Sequence, residues 1–257
     1  MIEKNTYIFI AVRMKSSRLH LKAFADIHGK PLIQRLVERL TEQIPLRQIV
    51  ICTSENQQDD VLAKFATENG INCFRGDELD VMGRFLLAAK KYNARTIVRV
   101  TGDNPLTDPY MLIEMLQEHL ANDADYTYDE DLPVGTRSEI IDVKALREVH
   151  GQLSNSDNSE YMTYMLKRPD KIKTFKYEFK NQNLKRPELS LTIDTKEDLI
   201  LVCQVYKHFE INLPGLQEII NYLDSIPDLK IELNLNQDTS KFLSEIDCSY
   251  KSDLNEN

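Results

Sequence analysis

The chain reads as a three-layer α/β protein with a mostly parallel central sheet. Short, almost wholly apolar runs alternate with amphipathic stretches, and charged residues collect where the apolar runs end. Continuous apolar runs suit strands covered on both faces, and strand–helix alternation implies parallel pairing through right-handed crossovers. In order, Tyr7–Val12, Gln48–Thr53, Asn72–Phe74 and Thr96–Thr101 are predicted strands. Between them, Leu32, Ile33, Leu36, Val37, Leu40 and Ile44 recur at helical spacing, as do Val61, Leu62 and Phe65, then Met82, Phe85, Leu86 and Ala89. Asp108 and Pro109 supply the cap and first position of a helix over Pro109–Leu120. Farther on, Asp125–Tyr128, Glu139–Asp142 and Leu189–Ile193 are predicted strands, and Lys173–Phe179 alternates like an exposed strand. Helices are predicted over about 196–209 and over Pro214–Leu223.

With 257 residues the chain fits one generous domain, read as 1–236, with a subregion at 125–190 and a polar, frayed tail over 237–257. A net charge of −9 argues against a nucleic-acid or anionic-membrane surface. No apolar run is long enough to cross a bilayer, and the N-terminal apolar stretch is too short for a signal peptide. The four cysteines form no CxxC pair, so neither zinc nor a disulfide framework is suggested. A cytoplasmic protein is expected.

Three segments can carry chemistry. The loop after the first strand holds Arg13, Ser17, Arg18 and Lys22, a cationic cradle at the edge where open α/β sheets bind ligands. Solvated loop charges are the plainer explanation. In VRVTGDNPLTDP, a buried strand delivers Thr101, Gly102 and Asp103 to the same edge, and a carboxylate beside bound phosphates is a magnesium ligand in waiting. Asp103 could equally cap a turn. In LTIDTKEDL, Asp194 ends another apolar run, although Thr195 and Asp198 already explain the motif as a helix start.

Taken together, VRMKSSRLHLK, DIHGKPLIQRLVERL, CTSENQQDD, FRGDELDVMGRF, VRVTGDNPLTDP and LTIDTKEDL resemble, in that order, the cytidylyltransferase family of CMP-3-deoxy-manno-octulosonate synthetases, acylneuraminate cytidylyltransferases and spore-coat polysaccharide (SpsF-like) enzymes. The likeness runs roughly from Thr6 to Leu235. It implies a Rossmann-like nucleotidyltransferase fold with a mixed, mostly parallel sheet, a small dimerisation and acceptor subregion, and a homodimer. It also implies transfer of CMP from CTP to a sugar acid or related acceptor, with Mg2+ held by Asp103 and Asp194. Arg13 and Lys22 would then grip the triphosphate, with Ser17 and Arg18 shaping their loop. Arg75 would meet the pyrimidine, Thr101 and Gly102 would support the nucleotide, and Arg84 would support the nucleotide or the acceptor pocket. Gly135, Arg137, Glu139 and Glu160 are the residues expected to meet the acceptor. A plain turn at 133–139 and a surface helix at Glu160 remain open. The segment Lys173–Phe179 is the expected pairing arm, with an ordinary edge strand as the alternative. His20 and Leu21 stand where the family has Pro-Gly, Lys15 replaces a small residue, and SEYMT replaces a segment with Arg and His. Two other functions fit the same motifs: a nucleotidyltransferase using another nucleotide or a sugar 1-phosphate or phosphonate acceptor, and a non-catalytic nucleotide-binding assembly protein.

Overall fold

A computed structural model describes residues 2–15, 19, 21–157, 159–229, 231–233 and 250–251. The strands are β1 (Thr6–Ala11), β2 (Asp26–Ile27), β3 (Lys30–Pro31), β4 (Ile49–Ser54), β5 (Asn72–Gly76), β6 (Thr96–Thr101), β7 (Tyr126–Tyr128), β8 (Glu139–Asp142) and β9 (Thr174–Lys176). The helices are α1 (Leu32–Thr41), α2 (Asp60–Glu68), α3 (Val81–Tyr92), α4 (Pro109–Ala121), α5 (Val143–Gln152), α6 (Met162–Leu166), α7 (Lys196–His208) and α8 (Leu216–Ser225).

Seven strands form one mixed sheet in the order β5-β4-β1-β6-β8-β7-β9, while β2 and β3 make a separate hairpin. The β5-β4-β1-β6 block is parallel, β8 is antiparallel to both β6 and β7, and β9 runs parallel to β7. Period-two alternation splits the buried side chains between two layers. Ile8, Ile10, Ile49, Ile51, Val98 and Val100 pack with α1, α2 and α4 on one face. Phe9, Val50, Cys52 and Ile97 pack with α3, α5 and α6 on the other. A third cluster seats α7 against Leu189, Leu191 and Ile193. The three-layer, mostly parallel architecture expected from the sequence is the one observed.

Four expectations change. Leu189–Ile193 joins no ladder; it makes isolated bridges from Ser190 to Val134 and from Leu189 to Glu232. Both edges of β6 are already taken by β1 and β8, so the segment packs through its apolar side chains instead. The alternating segment at 173–179 is strand only over β9, an edge strand of the sheet, and Tyr177 and Phe179 beyond it are buried in the chain's own core. Helix α5 lies where no helix was expected. The tail is not frayed throughout, because Tyr250 is completely buried against α5 and α6. No helix among the described residues is long and apolar enough to cross a membrane.

Strand order fixes where the site lies. From β1 the chain moves outward to β4 and β5, then returns to place β6 on the other side of β1. Connections leaving β1 and β6 therefore diverge, and a crevice opens beyond their carboxyl ends.

Candidate active site

Arg13 follows the end of β1 and Asp103 the end of β6, so both enter this crevice. Gly102 is required there by contact. Its amide donates to the Ala11 carbonyl at 2.9 Å, and a Cβ at this position would lie 2.5 Å from Cβ of Val12. Asp194 arrives from the other direction. The Ile193 amide donates to the Asp103 carbonyl at 3.0 Å, tying the two acidic segments together. Behind it, the Asp198 carboxylate accepts from the amides of Asp194 and Thr195 in a reciprocal cap at the start of α7. The cap and the acidic site are therefore one construction, with Asp198 holding the backbone and Asp194 left to face the crevice.

Lys22 lies between the two acids. Its Nζ donates to Asp103 Oδ2 at 2.8 Å and to Asp194 Oδ1 at 2.9 Å. Burial works against this ammonium, but the two carboxylates outweigh it and its pKa lies above the ordinary lysine value. Two carboxylates turned onto one cation form a donor set of hard oxygens, which suits magnesium. No third His, Cys, Asp or Glu joins them among the described residues.

Arg13 is held by acids as well. One guanidinium nitrogen donates to the Glu78 carbonyl at 2.9 Å, and another pairs with Glu160. A buried carboxylate fixes the start of this loop, because Asp59 accepts from the Met14 amide at 2.7 Å and from Ser54. Two cavities meet here. One of about 520 Å³ is lined by Arg13, Lys22, Gly102, Asp103, Glu160 and Asp194. The other, of about 400 Å³, adds Arg84, Arg99, Thr101 and Tyr161 to Arg13, Asp103 and Glu160. A third, of about 210 Å³, shares Arg99 and Thr101 and reaches Gly135, Arg137, Glu139, Thr163 and Lys167.

The structure thus brings Arg13, Lys22, Arg84, Thr101, Gly102, Asp103, Glu160 and Asp194 to one continuous crevice, with Gly135, Arg137 and Glu139 at its far end. Arg75 is elsewhere. Its guanidinium donates to the Ser54 and Asn56 carbonyls and pairs with Asp60, stapling the connection between β4 and α2. Arg137 spends donors on the Leu132 and Glu130 carbonyls, and Gly135, at φ +93°, passes so close to Leu191 and Thr192 that no side chain fits. Ser17 and Arg18 lie outside the described residues.

Sequence reasoning missed Arg99 and Tyr161. Arg99 had a visible signal, a lone cation inside the apolar run of β6. Burial opposes its charge, but Glu139, opposite it on β8, restores it and raises the pKa. The Glu139 carboxylate in turn takes hydrogen bonds from the Tyr126 hydroxyl and, at 2.7 Å, from Thr163.

Comparison with known proteins agrees with this fold. A family model described as Cytidylyltransferase matches residues 7–238. An uncharacterized protein of Methanocaldococcus jannaschii is 32% identical over 92% of this chain and 98% of its own length. The spore coat polysaccharide biosynthesis protein SpsF of Bacillus subtilis is 30% identical over 89% of this chain and 98% of its own. A cytidylyltransferase structure from Leptospira borgpetersenii superposes with a TM-score of 0.80 at 26% identity, covering 91% of this chain and all of that one.

Proposed function

The chain belongs to the cytidylyltransferase family, and from that membership we propose that it transfers CMP from CTP to a hydroxyl of a sugar acid or related sugar-type acceptor, releasing pyrophosphate. The observation that carries the reading is the convergence of Asp103 and Asp194 on Lys22, facing Arg13 across one crevice. That arrangement supplies what phosphoryl-type transfer needs, which is positioning and charge neutralisation more than covalent participation.

Asp103 and Asp194 would hold magnesium, which when bound supplies charge neutralisation at the reacting phosphate and acidifies the attacking hydroxyl. Lys22, sharing those carboxylates, is within reach of any phosphate brought to them. Arg13 and Lys22 stabilise the charge that grows on the departing pyrophosphate. The Gly102 backbone allows the nucleotide close approach, and Arg84 and Thr101 line the cavity beside it. The acceptor oxygen bonds to the α-phosphorus as the α–β anhydride bond breaks. Gly135, Arg137 and Glu139 frame the far cavity, where the body of the acceptor would lie.

The name of the Bacillus subtilis relative supports a product destined for surface polysaccharide. Free thiols at Cys52, Cys73 and Cys203 support a cytoplasmic setting. The homodimer stays part of this reading, resting on the family resemblance. The 173–179 segment, whose strand β9 lies at an edge of the sheet, stays its candidate pairing surface.

The test is pyrophosphate release from CTP and magnesium with a panel of sugar acids, phosphosugars and phosphonates. Thermal shifts with CTP, UTP, GTP and ATP run alongside it. Selective stabilisation by CTP together with acceptor-dependent pyrophosphate is the expected result. Equal shifts with all four nucleotides would remove the cytidine specificity.

A further inference from the structure

Glu160 is the one acid that lines both central cavities while pairing with the cation at their junction. The other acid near Arg13, Glu78, lies 3.7 Å from it and is hydrogen-bonded by others, since its carboxylate accepts from Asn56 at 2.6 Å and from Lys15 at 3.2 Å. Glu160 has a buried neighbour at its base and a partly exposed end. Its neighbour Ser159 is fully buried, accepts from the Met82 amide at 3.0 Å and donates to Asp80 at 3.1 Å, so the backbone is pinned to the start of α3. The side chain itself is 40% exposed and meets the guanidinium where the two central cavities join. Tyr161 also hydrogen-bonds this carboxylate, giving it a partner that does not depend on Arg13.

We propose that Glu160 is a displaceable internal anion that sets nucleotide affinity: its carboxylate competes with phosphate for Arg13, and a bound pyrophosphoryl group expels it toward the second cavity. A carboxylate oxygen and a phosphate oxygen make the same charge-assisted hydrogen bond to a guanidinium, so one can replace the other without moving the loop. The pinned backbone and exposed side chain let Glu160 leave by rotation about its own bonds. This proposal rests on the reading of Arg13 as a phosphate ligand.

Calorimetric titration of inorganic pyrophosphate, and of CTP with magnesium, into the full-length protein tests it. Glu160→Gln keeps the shape and removes the charge, and is expected to tighten both ligands roughly three- to tenfold, the scale of one partly exposed charge pair. Glu160→Asp, too short to reach Arg13, should tighten them as well. In an Arg13→Ala background the Glu160→Gln change is expected to alter nothing, which separates competition at Arg13 from a general loss of negative charge. Unchanged or weaker binding in Glu160→Gln, with Arg13→Ala still weakening binding, overturns this proposal alone and makes Glu160 a clamp that orients Arg13. Equal pyrophosphate binding by wild type and Arg13→Ala overturns the phosphate role of Arg13, and this inference with it.

Discussion

The Lys22 ammonium donates to Asp103 Oδ2 at 2.8 Å, a contact between residues 81 positions apart that closes the loop after β1 onto the end of β6. Asp194 completes the arrangement from a third segment, so no stretch of sequence contains the site. Charge is largely balanced internally: Arg13, Lys22 and Arg99 each hold an acid that lines the same crevice, while Arg84 donates to the Asp77 carbonyl.

Replacing Asp103 by Asn keeps the hydrogen-bonding shape and removes one charge from a site whose work is electrostatic. Pyrophosphate release is expected to fall about 10²- to 10³-fold. Stability changes little, about 1 kcal/mol or less, because Asp194 still accepts from Lys22. Thermal melts beside the activity assay separate the two effects. Chelating the divalent metal is expected to abolish release in the wild type. Persistence of activity in either experiment would remove the acidic pair from the reaction.

Arg99 and Glu139 face each other in register on antiparallel β6 and β8, with side chains only 16% and 12% exposed. Glu139→Gln or Arg99→Ala strands the partner charge and is expected to cost about 3 kcal/mol. An Arg99→Met, Glu139→Leu double variant should recover most of that stability, since a buried pair replaced by apolar residues is often neutral. Both residues line the far cavity, so the same double variant is expected to remain inactive. Recovered stability with recovered activity would make the pair purely structural.

The layered sheet was legible because burial on both faces leaves a nearly continuous apolar record in β1, β4 and β6, interrupted in β6 by Arg99. Residues that end such strands, Arg13 and Asp103, were legible for the same reason. What escaped has physical causes. Leu189–Ile193 is as apolar as a strand, but pairing depends on a free sheet edge, which composition does not register. Arg75 and Arg84 look alike in sequence; partners decide their roles, backbone carbonyls and Asp60 for Arg75 and a cavity wall for Arg84. Helix α5 was missed although Asp142 caps it by accepting from Lys144 and Ala145, a signal the strand ending at Asp142 concealed.

Two buried groups give stability opposite dependences on pH. His119 sits in the core beside the Thr127 hydroxyl, and burial lowers its pKa from 6.5 to about 4. The unfolded chain takes the proton first, so this stabilisation is present above pH 6.5 and is lost as pH falls toward 4. Burial raises Asp129 from 3.8 to about 6, so the folded form takes that proton first and its contribution is lost as pH rises through 6. Denaturant melts at pH 7 and pH 5 should show His119→Asn sparing the chain a loss of about 2 kcal/mol, and Asp129→Asn forfeiting a gain of about 1 kcal/mol. Parallel pH profiles in wild type and both variants would contradict these assignments.

Tyr250 joins the fold at the far end of the chain. Its ring is fully buried among residues of α5 and α6, and its hydroxyl donates to the Met165 carbonyl at 2.8 Å. The Lys251 amide donates to the Gln152 carbonyl at 2.7 Å, closing the last turn of α5, and the Arg168 guanidinium lies 4.8 Å from the ring centre. Removing a buried aromatic ring leaves a cavity, so Tyr250→Ala is expected to cost about 3 kcal/mol. Tyr250→Phe keeps the ring and strands one carbonyl, at about 1 kcal/mol. Because α6 carries Thr163, which lines the far cavity and donates to Glu139, loosening it should reach the site as well as the core. Tyr250→Ala is therefore expected to weaken acceptor-dependent turnover more than CTP binding, measured as the acceptor KM against the nucleotide Kd. Equal stability of wild type and Tyr250→Ala in denaturant melts would show that the tail contributes nothing to the folded state.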